Sequence, residues 1–357
     1  MTKSNLQAIL IVFATVVGLG IFPFPYVFYN QKILTPLLIF FSVLILMLIS
    51  TIIYGEIIGR VEGIHNFYSY FSFFWNQKWK FFIFLVEFLS LESVILVYSY
   101  YLKDVYGFLF GLLFLIFGHF ITLFGIKFFK KIESILAISL FLFIMMLSFY
   151  GLLFFKKENF SLRFVPNFSS YGLILFSLAG FSVFPLIKSF FKEEWKKNYL
   201  KTVLLAYIFI GIFYLLFTFS MIGFLGNKLS PDFISSVKIL PKFLFYIVNA
   251  LIVLNIFTTF ITIIVYLKEG LIFDWYLKSF LASLIIFLPN FIFYFLNLGT
   301  FLRILEVSSS IFLGLMGILI CLTYFKIKNK IFYYMPNYLV FLVILAYLLG
   351  ILSIFYN

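Results

Sequence analysis

Long apolar runs separated by short charged gaps make up most of the sequence. A helix needs about 20 apolar residues to cross a bilayer core of about 30 Å, and a window of that length finds about eleven such runs. The predicted spans cover residues 6–28, 33–59, 81–102, 106–126, 132–155, 171–190, 199–224, 240–267, 277–297, 302–325 and 332–356. No Gly/Ser-rich linker or change of composition divides them. The pattern therefore predicts an all-α membrane protein that forms a single domain over residues 1–357.

The charged gaps between the spans predict the orientation. With the N-terminus in the cytoplasm, about two thirds of the 26 Lys and Arg residues fall on the cytoplasmic side. Basic residues stay inside during insertion, so we expect a multi-pass protein of the plasma membrane with a cytoplasmic N-terminus. The segment from Arg60 to Lys80 is too polar to cross the bilayer and is expected to lie at its interface.

Composition narrows the class of protein further. The chain is 64% hydrophobic and only 11% charged, against about 45–50% and about 25% in ordinary soluble chains. A soluble enzyme is therefore excluded. The basic residues behind the net charge of +13 are scattered, so no nucleic-acid partner is expected. The single cysteine, Cys321, excludes a disulfide framework. No catalytic motif of the His-Glu-x-x-His or Gly-x-Ser-x-Gly type occurs, and we expect neither enzymatic activity nor a cofactor.

The first and sixth spans are both interrupted by small residues and proline. Gly18-Leu19-Gly20-Ile21-Phe22-Pro23 lies in the first span and Gly180-Phe181-Ser182-Val183-Phe184-Pro185 in the sixth. Proline removes a backbone donor and clashes with the preceding turn. A packing kink explains either interruption by itself. Unwound backbone at membrane depth is also tolerated where it lines a cavity or meets a ligand.

The positions of the two interruptions favour a ligand site. Each one opens a block of five spans, and two such blocks have opposite topologies because five is odd. The chain thus divides into a first repeat at about 6–155, a second at about 171–325 and an extra helix at about 332–356. Matching broken helices in inverted repeats indicate the midplane site of a transporter. Freed N–H groups would bind a carboxylate, and freed carbonyls would bind an ammonium. A site with both kinds of group suits a zwitterion.

Several short motifs, in order along nearly the whole chain, resemble those of a known family. They are Gly18-Leu19-Gly20-Ile21 with Pro25-Tyr26, Tyr54-Gly55-Glu56-Ile57, Gly63-Ile64-His65-Asn66-Phe67, Gly180-Phe181-Ser182-Val183-Phe184-Pro185, Thr258-Thr259-Phe260, Lys268-Glu269-Gly270 and Gly314-Leu315-Met316-Gly317-Ile318-Leu319. The chain is similar to short prokaryotic members of the amino acid/auxin permease family, relatives of aromatic amino acid permeases in the amino acid–polyamine–organocation superfamily.

This resemblance implies a leucine-transporter-like fold with a 5+5 inverted repeat and discontinuous helices 1 and 6. It also implies alternating access and ion-coupled import (symport) of an amino acid, for which we expect a neutral or aromatic side chain. The expected contacts are the backbone of Val17, Gly18, Leu19, Gly20 and Ile21 to the substrate carboxylate, the carbonyls of Ser177, Leu178, Ala179 and Gly180 to its amine, and Phe181 as a lid. Many relatives carry an acidic residue after the helix-6 proline, where this chain has Leu186 and then Lys188.

The sequence leaves two possibilities for the coupling ion, and Na⁺ is the first. Thr258 and Thr259 occupy the positions at which sodium-coupled members of the fold place two hydroxyls on helix 8. With the carbonyls of Ala14 and Val17 they would form an oxygen cage. The alternative is that the threonines bond their own helix or a neighbouring one, as they commonly do in membranes.

Proton coupling is the second possibility. It needs a titratable group within the membrane, where a charge costs at least about 2.5–3.5 kcal/mol. The candidates are Glu87 and Glu92 on helix 3, His119 on helix 4 and Glu306 on helix 10. The two helix-3 acids are five residues apart, about 140° around the helix, so they do not form a carboxylate pair. A structural ion pair of Glu306 with Arg303 and a helix–helix hydrogen bond of His119 are competing interpretations.

A non-transporting sensor on the same scaffold is the main alternative function. The membrane subunit of a spore germinant receptor, which binds an amino acid as a signal, has a similar length and the same broken helices. Topology therefore does not separate the two functions.

Overall fold

The structure is a computed structural model that describes residues 3–121, 127–191, 195–327 and 335–355. Within these ranges the regular structure is helical, apart from one isolated bridge between Ile33 and Arg163. The α-helices are α1 (Lys3–Val16), α2 (Phe24–Asn30), α3 (Leu34–Arg60), α4 (Phe67–Ser72), α5 (Gln77–Tyr106), α6 (Phe108–Ile121), α7 (Lys127–Leu153), α8 (Tyr171–Leu178), α9 (Trp195–Leu225), α10 (Lys242–Phe273), α11 (Ser279–Phe295), α12 (Phe301–Ser308), α13 (Gly314–Lys326) and α14 (Asn337–Leu352).

Within the described residues, each of the eleven predicted spans coincides with one helix or with consecutive helical segments, while residues 122–126, 332–334 and 356 of the predicted spans lie outside those ranges. In the part of the chain that the structure describes, six helical stretches are long and apolar enough to cross a membrane, and α1 with α2 adds a seventh as a bent pair. The six are Leu34–Arg60, Gln77–Tyr106, Trp195–Lys228, Lys242–Phe273, Phe301–Lys326 and Asn337–Phe355. Three shorter apolar helices also lie within predicted spans: Phe108–Ile121, Ile138–Leu153 and Ser279–Phe295.

The first predicted interruption divides α1 from α2. α1 ends at Val16, the residues Leu19–Ile21 form one 3₁₀ turn, and the two halves of the span meet at 61°. Pro23 precedes α2 and Pro25 lies in its first turn, where a missing N–H costs no helical hydrogen bond. The prolines therefore start the second half as well as ending the first.

The second predicted interruption follows α8. This helix is only eight residues long, and the chain then turns through residues 179–185 before a 3₁₀ segment at Leu186–Phe190. The all-helical fold with interrupted first and sixth spans is confirmed. The division into repeats at about 6–155 and 171–325 stays a prediction.

The segment after α3 forms the short helix α4, and Phe67–Phe71 is buried in the protein. The polarity of the Arg60–Lys80 segment predicted an interfacial stretch, but the pattern did not show that its aromatic residues pack inwards.

Helix α9 lies at the centre of the packing and contacts α1, α2, α3 and α7. Lipid is as apolar as the side chains, so close packing and hydrogen bonds hold membrane helices together. Gly55 on α3 faces the ring of Tyr199 on α9, and a Cβ on that glycine would lie 2.1 Å from the ring. The Tyr199 hydroxyl donates to the Thr51 carbonyl at 2.8 Å, and the Trp195 indole donates to the Gly55 carbonyl at 3.2 Å.

Replacement of Gly55 by alanine is expected to destabilise the protein. The Tyr199 ring is fixed by its hydrogen bond and by the Trp195 ring 4.5 Å away, so the added carbon forces α3 and α9 apart. Overpacking costs about 1–3 kcal/mol, which exceeds the gain of about 1 kcal/mol that alanine brings to a helix. In detergent, the midpoint of thermal unfolding of Gly55→Ala should be lower than that of the wild type.

Gly211→Ala on α9 is the matched control. A Cβ there meets the two terminal methyl groups of the flexible Leu44 side chain, at 3.3 and 3.8 Å, and the unfolding midpoint should stay the same or rise. Equal midpoints for the two variants would contradict the close-packing interpretation.

Candidate functional site

The two interruptions contact one another directly. The hydroxyl of Ser177, in the last turn of α8, donates to the Gly20 carbonyl at 3.0 Å and shares its proton with the Leu173 carbonyl at 2.8 Å. A Cβ on Gly20 would lie 2.4 Å from the Ser177 hydroxyl, and one on Gly180 would lie 2.6 Å from the Val16 side chain. Because Gly20 and Gly180 have no side chain, the two breaks can approach one another.

Both interrupted helices leave the carbonyls of their last turns without helical partners. Tyr214 on α9 supplies a donor to both breaks, with its hydroxyl 3.0 Å from the Ser177 carbonyl and 3.3 Å from the Val16 carbonyl. Tyr207 lies 3.3 Å from the Leu178 carbonyl, and its hydroxyl is also 3.1 Å from that of Thr51. Two tyrosines of one helix thus donate to the Ser177 and Leu178 carbonyls, which the sequence assigned to the substrate amine, and to the Val16 carbonyl, to which it assigned no role.

Sequence reasoning missed Tyr207 and Tyr214. They are seven residues apart, which places them on one face of α9 two turns from each other. That spacing was visible in the sequence, but the chain contains 24 tyrosines and no local pattern connects these two with the breaks.

The backbone around Gly18 borders open space. A Cβ added to Gly18 would meet no other atom within 4 Å, although Val17, Leu19, Gly20 and Ile21 are all buried. This space adjoins the start of the 3₁₀ turn, where the sequence predicts the carboxylate of a substrate. The assignment of substrate groups to residues 17–21 and 177–181 stays a prediction.

Phe181, the predicted lid, belongs to an aromatic cluster. It is buried, and its ring centroid lies 6.2 Å from that of Tyr54 on α3 and 6.3 Å from that of Phe67 on α4. Its role as a lid stays a prediction.

The predicted sodium ligands lie at the end of α1 and on α10. The Thr258 hydroxyl lies 3.2 Å from the Leu254 carbonyl and 3.1 Å from that of Asn255, both on its own helix α10. Thr259 is half-buried and Ala14 is exposed. Helix α10 does contact the 3₁₀ turn at Leu19–Ile21, but the Thr258 hydroxyl has the within-helix bonds that the alternative interpretation expects. The cage stays a prediction.

Glu87 joins three elements at the end of the bundle that is predicted to be cytoplasmic. One carboxylate oxygen accepts the Tyr68 N–H at 2.9 Å, and the other accepts the Tyr266 hydroxyl at 2.6 Å. The same Tyr266 oxygen accepts the Phe67 N–H at 3.2 Å. Glu87 on α5 and Tyr266 on α10 therefore satisfy the first N–H groups of α4 and fix this helix to the bundle.

The other three proton-coupling candidates have separate surroundings. Glu92 is buried and accepts a hydrogen bond from the Asn290 amide on α11. His119 Nδ1 lies 2.8 Å from the Leu115 carbonyl, and its ring packs against Phe260 and Phe287. The Glu306 carboxylate lies 3.7 Å from the Arg303 guanidinium, as the ion-pair interpretation expects. Among the described residues, no group of three His, Cys, Asp or Glu side chains is placed to hold a metal ion.

Removal of the Tyr214 hydroxyl should destabilise the junction between the breaks. Tyr214→Phe keeps the ring but leaves the Ser177 carbonyl without this donor, whereas the Val16 carbonyl keeps the Gly18 N–H at 3.0 Å. A buried polar group that loses its partner costs about 1–3 kcal/mol, so the midpoint of thermal unfolding should fall. Tyr246→Phe is the control, because Tyr246 is 65% exposed. Equal midpoints for Tyr214→Phe and the wild type would show that the hydroxyl does not hold the breaks together.

Comparisons with known proteins find the fold but not the family. No family model and no curated protein matches the sequence. Among solved structures, the chain is similar to MhsT in complex with L-phenylalanine, with a TM-score of 0.66 and 16% identity over 98% of both chains. It is also similar to the Eremococcus coleocola manganese transporter in complex with an aromatic bis-isothiourea compound, with a TM-score of 0.66 and 11% identity over 98% of this chain and 86% of that one. The chain therefore has the fold of these membrane transporters, as the leucine-transporter-like resemblance led us to expect.

Proposed function

We propose that this protein is an ion-coupled secondary transporter that imports a neutral or aromatic amino acid by alternating access. The observation that carries the proposal is the meeting of two interrupted helices through Ser177 and Gly20, with open space at Gly18. The similarity to MhsT, whose structure contains L-phenylalanine, supports the choice of an amino acid as the substrate class.

The site binds a zwitterion through backbone groups. The substrate carboxylate meets the N–H groups at the start of the 3₁₀ turn that begins at Leu19, where the backbone dipoles favour an anion. The ammonium meets the carbonyls of Ser177 and Leu178. Tyr214 and Tyr207 donate to these carbonyls, so each already has a donor from within the chain.

Binding then exchanges one hydrogen bond for another. The ammonium replaces the tyrosine hydroxyl as donor to the carbonyl, and the hydroxyl proton turns to its second acceptor, the Val16 carbonyl for Tyr214 and the Thr51 hydroxyl for Tyr207. Because a charged donor forms a stronger bond than a neutral hydroxyl, the exchange favours the ammonium.

Alternating access requires contacts at the two ends of the bundle that form and break. Lys188, in the 3₁₀ segment after the second break, donates to the Ile58 carbonyl at 2.9 Å and to the Val61 carbonyl. These carbonyls lie at the end of α3, where the helix dipole favours a cation. In our proposal this contact closes the cytoplasmic end and breaks when the site opens inwards.

One observation favours a second candidate, a non-transporting amino acid sensor. The freed carbonyls already have donors within the chain, an arrangement that also suits a fixed receptor site. A sensor would bind the amino acid without moving it across the membrane.

Uptake into proteoliposomes tests the proposal. The purified protein should concentrate one or more labelled neutral or aromatic amino acids when a Na⁺ or proton gradient is imposed. Gly18→Leu fills the open space without meeting another atom at Cβ, and it should lower uptake at least tenfold with an unchanged unfolding midpoint. Gly211→Ala should transport normally. Binding without uptake would favour the sensor, and neither binding nor uptake for any of the twenty amino acids would refute both functions.

The coupling ion is tested by replacing both predicted hydroxyl ligands. If Thr258 and Thr259 form a Na⁺ cage with the carbonyls of Ala14 and Val17, the double alanine variant should lose stimulation of uptake by a Na⁺ gradient. Ser42→Ala is the control, because Ser42 is exposed on α3 and bonds only its own helix. Undiminished Na⁺ stimulation in the double variant would remove this cage from the mechanism.

A further inference from the structure

A cavity of about 310 Å³ lies between α5, α11 and the start of α12. Its walls are mainly apolar, with Leu89 and Leu96 on α5, Phe293 on α11 and Ile304 on α12. No residue of α1, α8 or either interruption lines it. The cavity is therefore separate from the site at the breaks, and its volume is within the range of small-molecule pockets, about 300–1,000 Å³.

Glu92 is the acidic side chain in the wall of this cavity. It is 5% exposed. The Asn290 amide donates to one of its carboxylate oxygens, while the other, Oε1, has no hydrogen-bond partner among the described residues. A buried carboxylate with one unpartnered oxygen is costly. Oε1 is itself buried, so a rotation of the Glu92 carboxylate has to bring it to the cavity, where a bound donor that carries positive charge would remove that cost.

The two buried acids of α5 differ in this respect. Both oxygens of Glu87 accept hydrogen bonds from within the chain, whereas Glu92 has one oxygen bonded and one free. Contacts that stabilise the fold therefore satisfy both carboxylate oxygens of Glu87 but only one of those of Glu92.

The lining indicates the class of ligand. Besides Glu92, the lining side chains that carry oxygen are Ser93, Asn290 and Ser308, fewer than the six or more oxygen ligands that a hard metal cation needs. The apolar walls suit the hydrocarbon part of an organic molecule instead. A primary ammonium provides both N–H donors and a positive charge. We propose that this cavity binds a primary ammonium group carried on an apolar body, with Glu92 as its anionic partner.

This chemistry has two sources, a free amine and the ethanolamine headgroup of a lipid. Arg303 also lines the cavity and its side chain is 47% exposed, so it is available to the phosphate of a headgroup beside its contact with Glu306. Phe293 is 43% exposed on the outer surface of the bundle. A hydrophobic amine needs Glu92 and the apolar walls only.

The test measures binding of radiolabelled 2-phenylethylamine to the full chain in phosphatidylcholine nanodiscs. We expect saturable binding, with no binding of 2-phenylethanol, which has a similar shape but no ammonium. Glu92→Gln should weaken binding at least tenfold. Leu89→Phe, which keeps the carboxylate and fills part of the cavity, should weaken it as well. A second arm adds phosphatidylethanolamine to the nanodiscs, and competition with the probe would identify the headgroup as an occupant.

Two variants serve as controls for the location of binding. Glu87→Gln removes a buried acid from the same helix and should leave binding unchanged, as should Gly18→Leu, which fills the space at the first break. The proposal is overturned if the wild type does not bind the amine, if the alcohol binds equally well, or if Glu92→Gln binds normally. It is also overturned if Glu87→Gln or Gly18→Leu loses binding to the same extent as Glu92→Gln. Because Gly18→Leu abolishes the proposed transport only, failure of one proposal is distinguishable from failure of the other.

Discussion

The need to satisfy backbone groups freed inside the membrane is the constraint on which this structure depends. In hydrocarbon, an unbonded N–H or C=O costs several kcal/mol, so two helices that stop halfway across require partners for their ends. The partners come from other helices: Ser177 on α8 donates to Gly20 in the 3₁₀ turn of the first break, and Tyr214 and Tyr207 on α9 donate to the ends of α1 and α8. Helix α9 is therefore central because it stabilises both interruptions.

The same constraint explains why small residues surround the interruptions. A hydroxyl reaches a carbonyl of another element only if the backbones come close, and the approach at Gly20 and at Gly180 leaves no room for a Cβ. Gly18 differs, since a Cβ there would enter open space. Two of the glycines thus build the junction between the breaks, and the third borders the room that a ligand requires.

Local sequence was sufficient for the spans and for the positions of both breaks. Proline and glycine act on their own backbone, so residues 18–25 and 179–185 identify the interruptions without knowledge of the rest of the fold. Tyr214 lies 37 positions from Ser177 in the sequence, and nothing near either residue indicates the bond. The capping of α4 by Glu87 was equally hidden, because it depends on a loop of the chain folding back onto α5 and α10.

Sequence also overstated the similarity among the acidic residues. Hydropathy treats Glu87, Glu92 and Glu306 alike, as charges in apolar helices. In the structure Glu87 bonds backbone and hydroxyl donors, Glu306 lies near Arg303, and Glu92 has one unpartnered oxygen in a cavity wall. A carboxylate acquires its role from the donors that reach it, and those donors come from distant parts of the chain. None of the three is among the residues that form the junction of the breaks, where the freed polar groups are backbone carbonyls and N–H groups. Partial charges of both signs suit a ligand that has no net charge, and a zwitterion can therefore be held there without an acidic side chain.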